Sequence, residues 1–252
     1  MGNAHRASID GMRRSRLLAQ QNLHLTCNAE RKILHTYWAL FVGLLLFVNM
    51  FSFVTWNVRG LTRDFKRSLL ADDCFRYGMD IVCLQETKCT MAEDILLHNN
   101  YRLIILEQKH CRHGGLGFVI NPHMNDYIKS YSYISDRVAV FDLQVPTKSG
   151  IPINYRIVNA YGPTMQRASN EPQLLTSFYQ TLSSAVKVPS RFELYIMGDF
   201  NSKLGKVTLD ETVETNISDH VGRYAVGTRN SNGEHMLNFL FEHGLFACNT
   251  AF

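Results

Sequence analysis

Short apolar runs alternate with amphipathic stretches from residue 52 onward. Runs bounded by Gly, Asn and Pro predict strands at FVTWNV, DIVCLQE, YRLIILEQ, GGLGFVI, RVAVFDLQV, YRIVNAYGP, ELYIMGDFN and LFACNT. Helical spacing predicts helices at FKRSLLADDCFRYG, PQLLTSFYQTLSSAV and HMLNFLFEHG. The first of these helices reaches Gly78, which predicts a glycine C-cap. Interleaved strands and helices of this kind indicate an α/β domain.

Two segments of different character precede the α/β pattern. Residues 1–32 are polar and basic without sustained periodicity, so we expect a disordered N-terminal segment. Residues 33–56 contain no Asp, Glu, Lys or Arg, and a run of this length could span a bilayer of ~30 Å. The alternative is a buried or interfacial helix at 33–51 that leads into a strand, since SFVTWNV has the pattern of a core strand. We therefore divide the chain at 1–32, 33–51 and 52–252, and membrane attachment stays open.

Composition and charge narrow the function only a little. The chain has 252 residues, of which 46% are hydrophobic and 19% charged, as in ordinary globular domains. Its net charge of +4 is compatible with a polyanionic partner but does not establish one. The six cysteines form no CxxC pair, which indicates reduced thiols and an intracellular location. His110, Cys111 and His113 lie close together, but no second pair completes a zinc site, so we expect a solvated loop there.

Polar side chains stand at the ends of four predicted strands. These side chains are Asn57, Glu86, Tyr161, Asp199 and Asn201. Strands hold their ends rigidly, and functional residues are often presented there. Each residue taken alone also fits a structural role: a surface ion pair with Lys88 for Glu86, turn formation for the Asx residues, and packing for the tyrosine. Their common position at strand ends favours a functional site.

The residue types at these strand ends suit chemistry on phosphate. A carboxylate such as Glu86 is a hard oxygen ligand for Mg²⁺, which often takes only one or two protein carboxylates. Asp199 could orient or deprotonate a water molecule. Asn57 and Asn201 offer uncharged amide donors, and the Tyr161 hydroxyl could reach a phosphate oxygen or the water. Together they predict metal-assisted attack on a phosphoester.

The same motifs carry a family resemblance. TWNVRGL, DIVCLQETK, GGLGFVI, IVNAYGPT and YIMGDFNSKLG, in this order, resemble the endonuclease/exonuclease/phosphatase superfamily. Within it the chain is most similar to the apurinic-type endonuclease domain of non-LTR retrotransposons and to craniofacial development protein 2-like proteins. The later GTRNSNGEHMLNFLFEHGLFACNT is similar to the same subgroup, so the resemblance covers residues 52–252.

The resemblance implies both a fold and a division of roles. The fold is a four-layer α-β-β-α sandwich with two mixed sheets and the site at one edge. Glu86 would bind Mg²⁺, or Mn²⁺ in its place, and Asn57 would support the metal shell. Asp199 would act on water, while Asn201 and Tyr161 would contact the phosphate. The implied partner is the DNA backbone, and the implied location is the nucleus, unless 33–56 anchors the chain in a membrane.

One motif of the family departs from its usual place. Members carry Ser-Asp-His near the C-terminus, after the helix that corresponds to NSNGEHMLNFLFEHG and several further strands. Here Asp219 and His220 lie in ISDHVGRY, ahead of the predicted helix HMLNFLFEHG. We therefore expect them to be loop residues and keep them only as secondary catalytic candidates. The corresponding expectation is a domain that lacks its last strands, with weak or absent nuclease activity.

Three functions are compatible with these features, and whether the chain is an enzyme stays open. The first is a Mg²⁺-dependent phosphodiesterase resembling DNA endonucleases, aided by backbone contacts from basic residues (Arg59, Arg63, Lys66 and Arg67). The second is a lipid or inositol-phosphate phosphatase of the same superfamily. The third is a non-catalytic, membrane-attached remnant. The sequence indicates no protein partner.

Overall fold

The computed structural model describes residues 46–48, 51–107, 114–171, 173–208, 211 and 216–252, with the backbone alone at 46–48. All of them lie in the unit Val42–Phe252. The expected disordered segment 1–32, the loop with His110, Cys111 and His113, and most of the apolar segment lie outside the described residues.

Six strands form the first sheet. They are β1 (Leu46–Val48), β2 (Phe51–Asn57), β3 (Ile81–Gln85), β4 (Glu93–Leu96), β5 (Arg102–Ile105) and β6 (Leu116–Ile120). Their order across the sheet is β1-β2-β3-β6-β5-β4. β2 and β3 are parallel, with Asn57 opposite Gln85, and the other neighbours are antiparallel. The carboxyl ends of β2 and β3 therefore lie side by side.

Four strands form the second sheet. They are β7 (Ile128–Ser135), β8 (Val138–Val145), β9 (Ile153–Tyr161) and β10 (Phe192–Asp199), in the order β10-β9-β8-β7. β9 and β10 are parallel and place Tyr161 opposite Asp199. Each sheet thus contains one parallel pair whose carboxyl ends carry the polar side chains singled out in the sequence.

Helices cover the outer faces of both sheets. The α-helices described in full are α1 (Asp64–Tyr77), α2 (Met165–Asn170), α3 (Gln173–Ala185) and α4 (Ser231–His243). Short 3₁₀ helices occupy His98–Asn100, Pro122–Tyr127, Ile217–Asp219 and Cys248–Thr250. α1 ends as predicted at Gly78, which adopts the left-handed conformation with φ 60°.

Apolar side chains fill the spaces between the layers. Phe53, Phe118, Phe141 and Tyr155 are completely buried between the two sheets. Leu70 and Cys74 of α1 pack on the outer face of the first sheet. The outer face of the second sheet packs against α3 and α4, through a cluster that includes Phe178, Leu182 and Phe239. The predicted four-layer α-β-β-α sandwich is confirmed, whereas the absence of its last strands stays a prediction.

Some local predictions need correction. LFACNT is not a strand: only Ala247 forms an isolated bridge, with Val221, and Cys248–Thr250 turns into a 3₁₀ helix. β4 and β7 were not predicted because polar and apolar residues are mixed in both strands and none of their residues is buried. The first sheet also includes Leu46–Val48, and the domain boundary at residue 52 stays a prediction.

The carboxyl-terminal part of the apolar run 33–56 lies in the first sheet. Its residues 51–56 belong to β2, which pairs with β1 and β3. Among the residues described, no helix is both long and apolar enough to cross a membrane. Among the described residues, the thiols of Cys74, Cys83, Cys89 and Cys248 are free, and the reduced state stays a prediction.

A buried pair of amide side chains joins the two sheets. Gln85 on β3 and Asn159 on β9 are at most 1% exposed, and Gln85 Nε2 donates to Asn159 Oδ1 at 2.7 Å. Asn159 Nδ2 donates in turn to the carbonyls of Leu84 and Gly117, each at 3.0 Å. The Thr55 hydroxyl donates to Gln85 Oε1. Since unpaired polar groups are costly to bury, this network fixes the position of one sheet relative to the other.

Asn159→Ala should therefore lower the free energy of unfolding by about 3 kcal/mol or more, because it leaves Gln85 Nε2 and two backbone carbonyls short of partners in the core. Urea denaturation of both proteins measures the difference. The exposed Asn170→Ala at the end of α2 is the matched control and should change stability by less than about 0.5 kcal/mol. A loss of under about 1 kcal/mol for Asn159→Ala would contradict the structural role of the network.

Candidate active site

The two parallel strand pairs bring four of the predicted site residues together at one edge of the sandwich. Asn57 is the last residue of β2 and Glu86 follows directly after β3, while Tyr161 and Asp199 are the last residues of β9 and β10. The side chain of Asn57 lies between the two carboxylates: its Nδ2 donates to Glu86 Oε1 and to Asp199 Oδ2, both at 2.9 Å. One amide thus couples an acid of the first sheet to an acid of the second.

Tyr161 makes the second link between the sheets at this edge. Its hydroxyl donates to Glu86 Oε1 at 3.0 Å. Burial, reinforced by the charge of Glu86, raises the pKa of the Tyr161 hydroxyl well above its usual range. The hydroxyl therefore stays protonated and acts as a donor at neutral pH.

Glu86 is held as a carboxylate. Burial alone would raise its pKa, but hydrogen bonds from Asn57 and Tyr161 and the nearby charge of Lys88 together lower the pKa below the ordinary value of 4.5. The Lys88 ammonium lies 3.5 Å from Glu86 Oε2, and the Glu86 side chain is 21% exposed. Glu86 thus presents a charged and partly accessible oxygen at the surface of the site.

A glycine brings Asp199 to this position. Gly198 has φ 152°, and a Cβ there would lie 1.9 Å from the carbonyl oxygen of Ala160 on β9. Only glycine lets β10 pair so closely with β9 just before Asp199. Asn201 follows in the left-handed conformation with φ 50°, and its backbone N–H donates to Asp199 Oδ1 at 3.1 Å.

Asn201 is anchored beside the other four residues. Its side-chain Nδ2 donates to the carbonyl of Gly162, the residue after Tyr161, at 3.0 Å. Glu86, Lys88, Arg59 and Asn201 all have positive φ without being glycine. Such conformations cost free energy and tend to occur where function requires them, so their concentration here supports a functional site.

The secondary candidates lie in different surroundings. The imidazole Nδ1 of His220 lies 2.7 Å from the carbonyl oxygen of Leu245, and its ring centroid is 4.3 Å from that of Phe241 on α4. Asp219 ends a 3₁₀ helix next to it. Among the described residues, no hydrogen bond connects His220 or Asp219 to Glu86 or Asp199. Their assignment as loop residues stays a prediction that this geometry supports.

A profile of the Endonuclease/Exonuclease/phosphatase family matches residues 54–239, which is most of the chain. The chain belongs to this family. Among relatives of the endonuclease/exonuclease/phosphatase domain, craniofacial development protein 2 of Bos taurus is 25% identical over 199 residues, or 79% of this chain and 31% of that protein. The protein of the same name from Tragulus javanicus is 24% identical over 79% of this chain and 32% of its own length. The chain therefore spans about a third of the length of the curated relatives it matches.

Solved structures show the same fold. The Xenopus laevis APE2 catalytic domain superposes with a TM-score of 0.50 at 14% identity, over 74% of this chain and 67% of that one. AP endonuclease LMAP from Leishmania major gives a TM-score of 0.50 at 16% identity, over 77% of this chain and 66% of that one. The superfamily resemblance seen in the sequence is confirmed, while an origin in retrotransposons stays a prediction.

In this member of the endonuclease/exonuclease/phosphatase family, the candidate site also depends on residues for which the sequence suggested no role. Asn232, completely buried at the start of α4, donates from Nδ2 to the carbonyl of Phe200 at 2.8 Å and more weakly to that of Pro163. The Tyr179 hydroxyl donates to Asn232 Oδ1. Asn232 therefore holds the turn after Tyr161 and the turn after Asp199 at a fixed separation.

Two neighbours of Asn232 fix the loop that follows Asn201. Asn230 is the N-cap of α4, and its Oδ1 accepts from the N–H groups of Gly233 and Lys203. A Cβ on Gly233 would lie 1.9 Å from the carbonyl oxygen of Lys203. An Asn before a helical run is a recognisable cap signal, but the long-range contacts of Asn232 and Gly233 leave no mark in the local pattern.

Gly233→Ala should destabilise the domain by about 2 kcal/mol, because the added Cβ collides with the Lys203 carbonyl and forces the loop or the helix to move. Replacing Gly by Ala inside a helix usually increases stability, so the expected loss of stability is opposite in sign. Urea denaturation measures the change, with the exposed Ser231→Ala in the same turn as control. Unchanged or increased stability of Gly233→Ala would contradict the close approach.

The lowered pKa of Glu86 makes its contribution to stability pH-dependent. The folded carboxylate is favoured over the unfolded one, so its contribution is present above pH 4.5 and is lost as pH falls through the lower folded pKa. The difference in Tm between the wild type and Glu86→Gln should therefore be largest above about pH 6 and shrink below about pH 4. Thermal unfolding in EDTA measures it, with the exposed Glu193→Gln as charge-matched control. A difference that stays constant from about pH 3 to pH 7 would contradict the lowered pKa.

Proposed function

We propose that this endonuclease/exonuclease/phosphatase domain is a divalent-metal-dependent phosphodiesterase that acts on DNA. The observation that carries the proposal is the coupling of Glu86 and Asp199 through the single amide of Asn57, with the Tyr161 hydroxyl on the same carboxylate. Two acids from different sheets, a protonated phenol and a neighbouring amide form a compact set of groups for a phosphate and an attacking water.

The carboxylate oxygens at this site fit Mg²⁺ better than a metal that requires three or more protein side chains as ligands. No group of three or more His, Cys, Asp or Glu side chains that could hold a metal occurs in the described part of the chain. Mg²⁺ often uses only one or two protein carboxylates and fills its remaining positions with water and phosphate oxygens. Glu86 would hold the ion, or Mn²⁺ in its place, with Asn57 fixing the carboxylate. When bound, the cation would neutralise charge on the phosphate.

The side chains themselves supply the remaining chemistry. Asp199 can accept a proton from a water molecule or orient it, since Asn57 and the N–H of Asn201 hold its carboxylate in place. The protonated Tyr161 hydroxyl can donate to a phosphate oxygen. Asn201, tied to the turn after Tyr161, offers an uncharged amide at the same edge. Each group lies on a strand end or on a turn that Asn232 fixes.

DNA is proposed as the substrate because this chain is similar to known endonucleases and carries a net positive charge. One of the solved structures with the same fold is an AP endonuclease by name. The net charge of +4 is compatible with a polyanionic substrate. The resemblance to endonucleases also supports a nuclear location. The alternatives, an inositol-phosphate phosphatase and a non-catalytic remnant, predict different products and are separated by the same assay.

We further propose that the activity of this chain is weak. The family's catalytic histidine has no equivalent with the right surroundings among the described residues, because the His220 ring is engaged with Leu245 and Phe241. Loss of one donor to the charged phosphate can reduce a rate by ~10²–10³.

Nicking of supercoiled plasmid DNA by the purified protein, with and without Mg²⁺, tests the proposal. We expect slow Mg²⁺-dependent nicking that Glu86→Gln and Asp199→Asn each reduce by about 100-fold or more, whereas Glu193→Gln and His220→Ala leave it unchanged. Nicking that survives both site substitutions would contradict the assignment, and nicking abolished by His220→Ala would make His220 catalytic. If nicking is absent, release of phosphate from inositol phosphates indicates the phosphatase. Absence of both, together with no Mg²⁺-induced rise in Tm, indicates the remnant.

A further inference from the structure

Arg137 contacts Tyr161 through both its backbone and its side chain. Arg137 immediately precedes β8, and its carbonyl accepts a hydrogen bond from the N–H of Tyr161 at 2.8 Å. Its guanidinium Nη1 donates to the carbonyl of Tyr161 at 3.0 Å. Among the described residues, this is the one hydrogen bond that the guanidinium makes. Both backbone polar groups of Tyr161 are therefore bound by a single residue next to the neighbouring strand.

The same guanidinium restricts the ring of Tyr161. Its Cζ lies 5.3 Å from the ring centroid, which is the distance of a cation–π contact. At the far end of the ring, the hydroxyl donates to Glu86 Oε1 at 3.0 Å. Arg137 thus holds the face of the ring and Glu86 holds its hydroxyl, so the direction of the O–H bond at the site depends on both contacts.

One peptide group connects Arg137 to the second acid of the site. The carbonyl of Tyr161 and the N–H of Gly162 belong to the same planar peptide unit. Arg137 binds the carbonyl, and the N–H donates to the backbone carbonyl of Asp199 at 2.8 Å. The carbonyl of Gly162 accepts in turn from the side chain of Asn201. Because the peptide unit is planar, rotating its carbonyl away from Arg137 would also rotate its N–H away from Asp199.

We propose that Arg137 is a positioning residue for the reaction at this site. It acts through the peptide after Tyr161 and thereby aligns the Tyr161 hydroxyl with Glu86. Through the same peptide it also fixes the position of Asp199. This inference rests on the proposed function and extends it by naming a residue outside the site on which the rate depends. The guanidinium acts indirectly, because among the described residues it forms no hydrogen bond or ion pair with Glu86 or Asp199.

Steady-state nicking of supercoiled plasmid DNA by the full chain with Mg²⁺ tests the effect on the rate. Arg137→Met keeps an apolar stem and removes the charge and the hydrogen-bond donors. We expect kcat to fall by about tenfold to 100-fold while KM stays within about threefold, because the misaligned groups act in the transition state. Arg137→Lys restores the charge without the planar fork that binds the carbonyl and covers the ring together, so its kcat should be intermediate.

A matched variant controls for the loss of one positive charge. Arg191→Met makes the same replacement at an exposed arginine next to the amino end of β10, the end away from Asp199, and should change neither kcat nor KM. An unchanged kcat for Arg137→Met would overturn the proposal. A loss carried by KM alone would make Arg137 a DNA contact and would overturn it as well. If Arg137→Met does not fold, Arg137→Lys decides the outcome by the same criteria.

A double-mutant cycle distinguishes positioning from a general loss of stability. Tyr161→Phe keeps the ring under the guanidinium and removes only the hydroxyl. Part of the effect of Arg137 should disappear with that hydroxyl, so Arg137→Met should reduce kcat by a factor about threefold or more smaller in Tyr161→Phe than in the wild type. Equal factors in the two backgrounds would show that Arg137 does not act through the Tyr161 hydroxyl, and would contradict the proposal.

Hydrogen exchange of the Gly162 amide tests the same contact without catalysis. Measured by NMR in EDTA, exchange of this amide should be about tenfold faster in Arg137→Met than in the wild type. The amide of Met79, which donates to Cys74 in another part of the domain, is the reference and should be unchanged. Unchanged exchange at Gly162, or equal acceleration of both amides, would overturn the proposal. Faster exchange at Gly162 alone, without Mg²⁺-dependent nicking by the wild type, would reject the phosphodiesterase and leave Arg137 as the residue that holds this peptide.

Discussion

The candidate site depends on how the two sheets are held against each other. The buried hydrogen bond from Gln85 to Asn159 links neighbouring strands of different sheets, immediately beneath Glu86 and Tyr161. Apolar packing between the sheets is non-directional and would tolerate small slides. A network of amides does not, because each misplaced donor or acceptor loses its partner in a dry core. Directional polar contacts inside the sandwich therefore set the spacing of the groups at its edge.

Tyr161 contacts charged groups of both signs. The carboxylates of Glu86 and Asp199 lie on the hydroxyl side, and the guanidinium of Arg137 lies against the ring and the backbone carbonyl. Tyr161 therefore contacts both an acid and a base through one side chain.

Much of this arrangement could be predicted from local sequence. Apolar runs ending in polar residues located all four strand ends of the site, and the order of the motifs indicated the superfamily and its sandwich. The parallel pairing that brings the ends together could not be derived from the pattern, since register depends on partners far along the chain. The prediction of a strand at LFACNT was wrong for the same reason, because its apolar residues pack beneath α4 and do not pair along a sheet. Arg137 and Asn232 act through backbone carbonyls of distant turns, which composition and periodicity do not reveal.

The bond between Asn57 and Asp199 spans 142 positions of the chain. A ribosome delivers β2 long before β10, and domains fold as units only when their strands are all present. Until β10 pairs with β9, Asp199 is not positioned beside Asn57 and Glu86, and the candidate site is incomplete. A nascent or proteolytically shortened chain that lacks β10 therefore cannot assemble the candidate site, so the topology itself delays the site until synthesis has passed this strand.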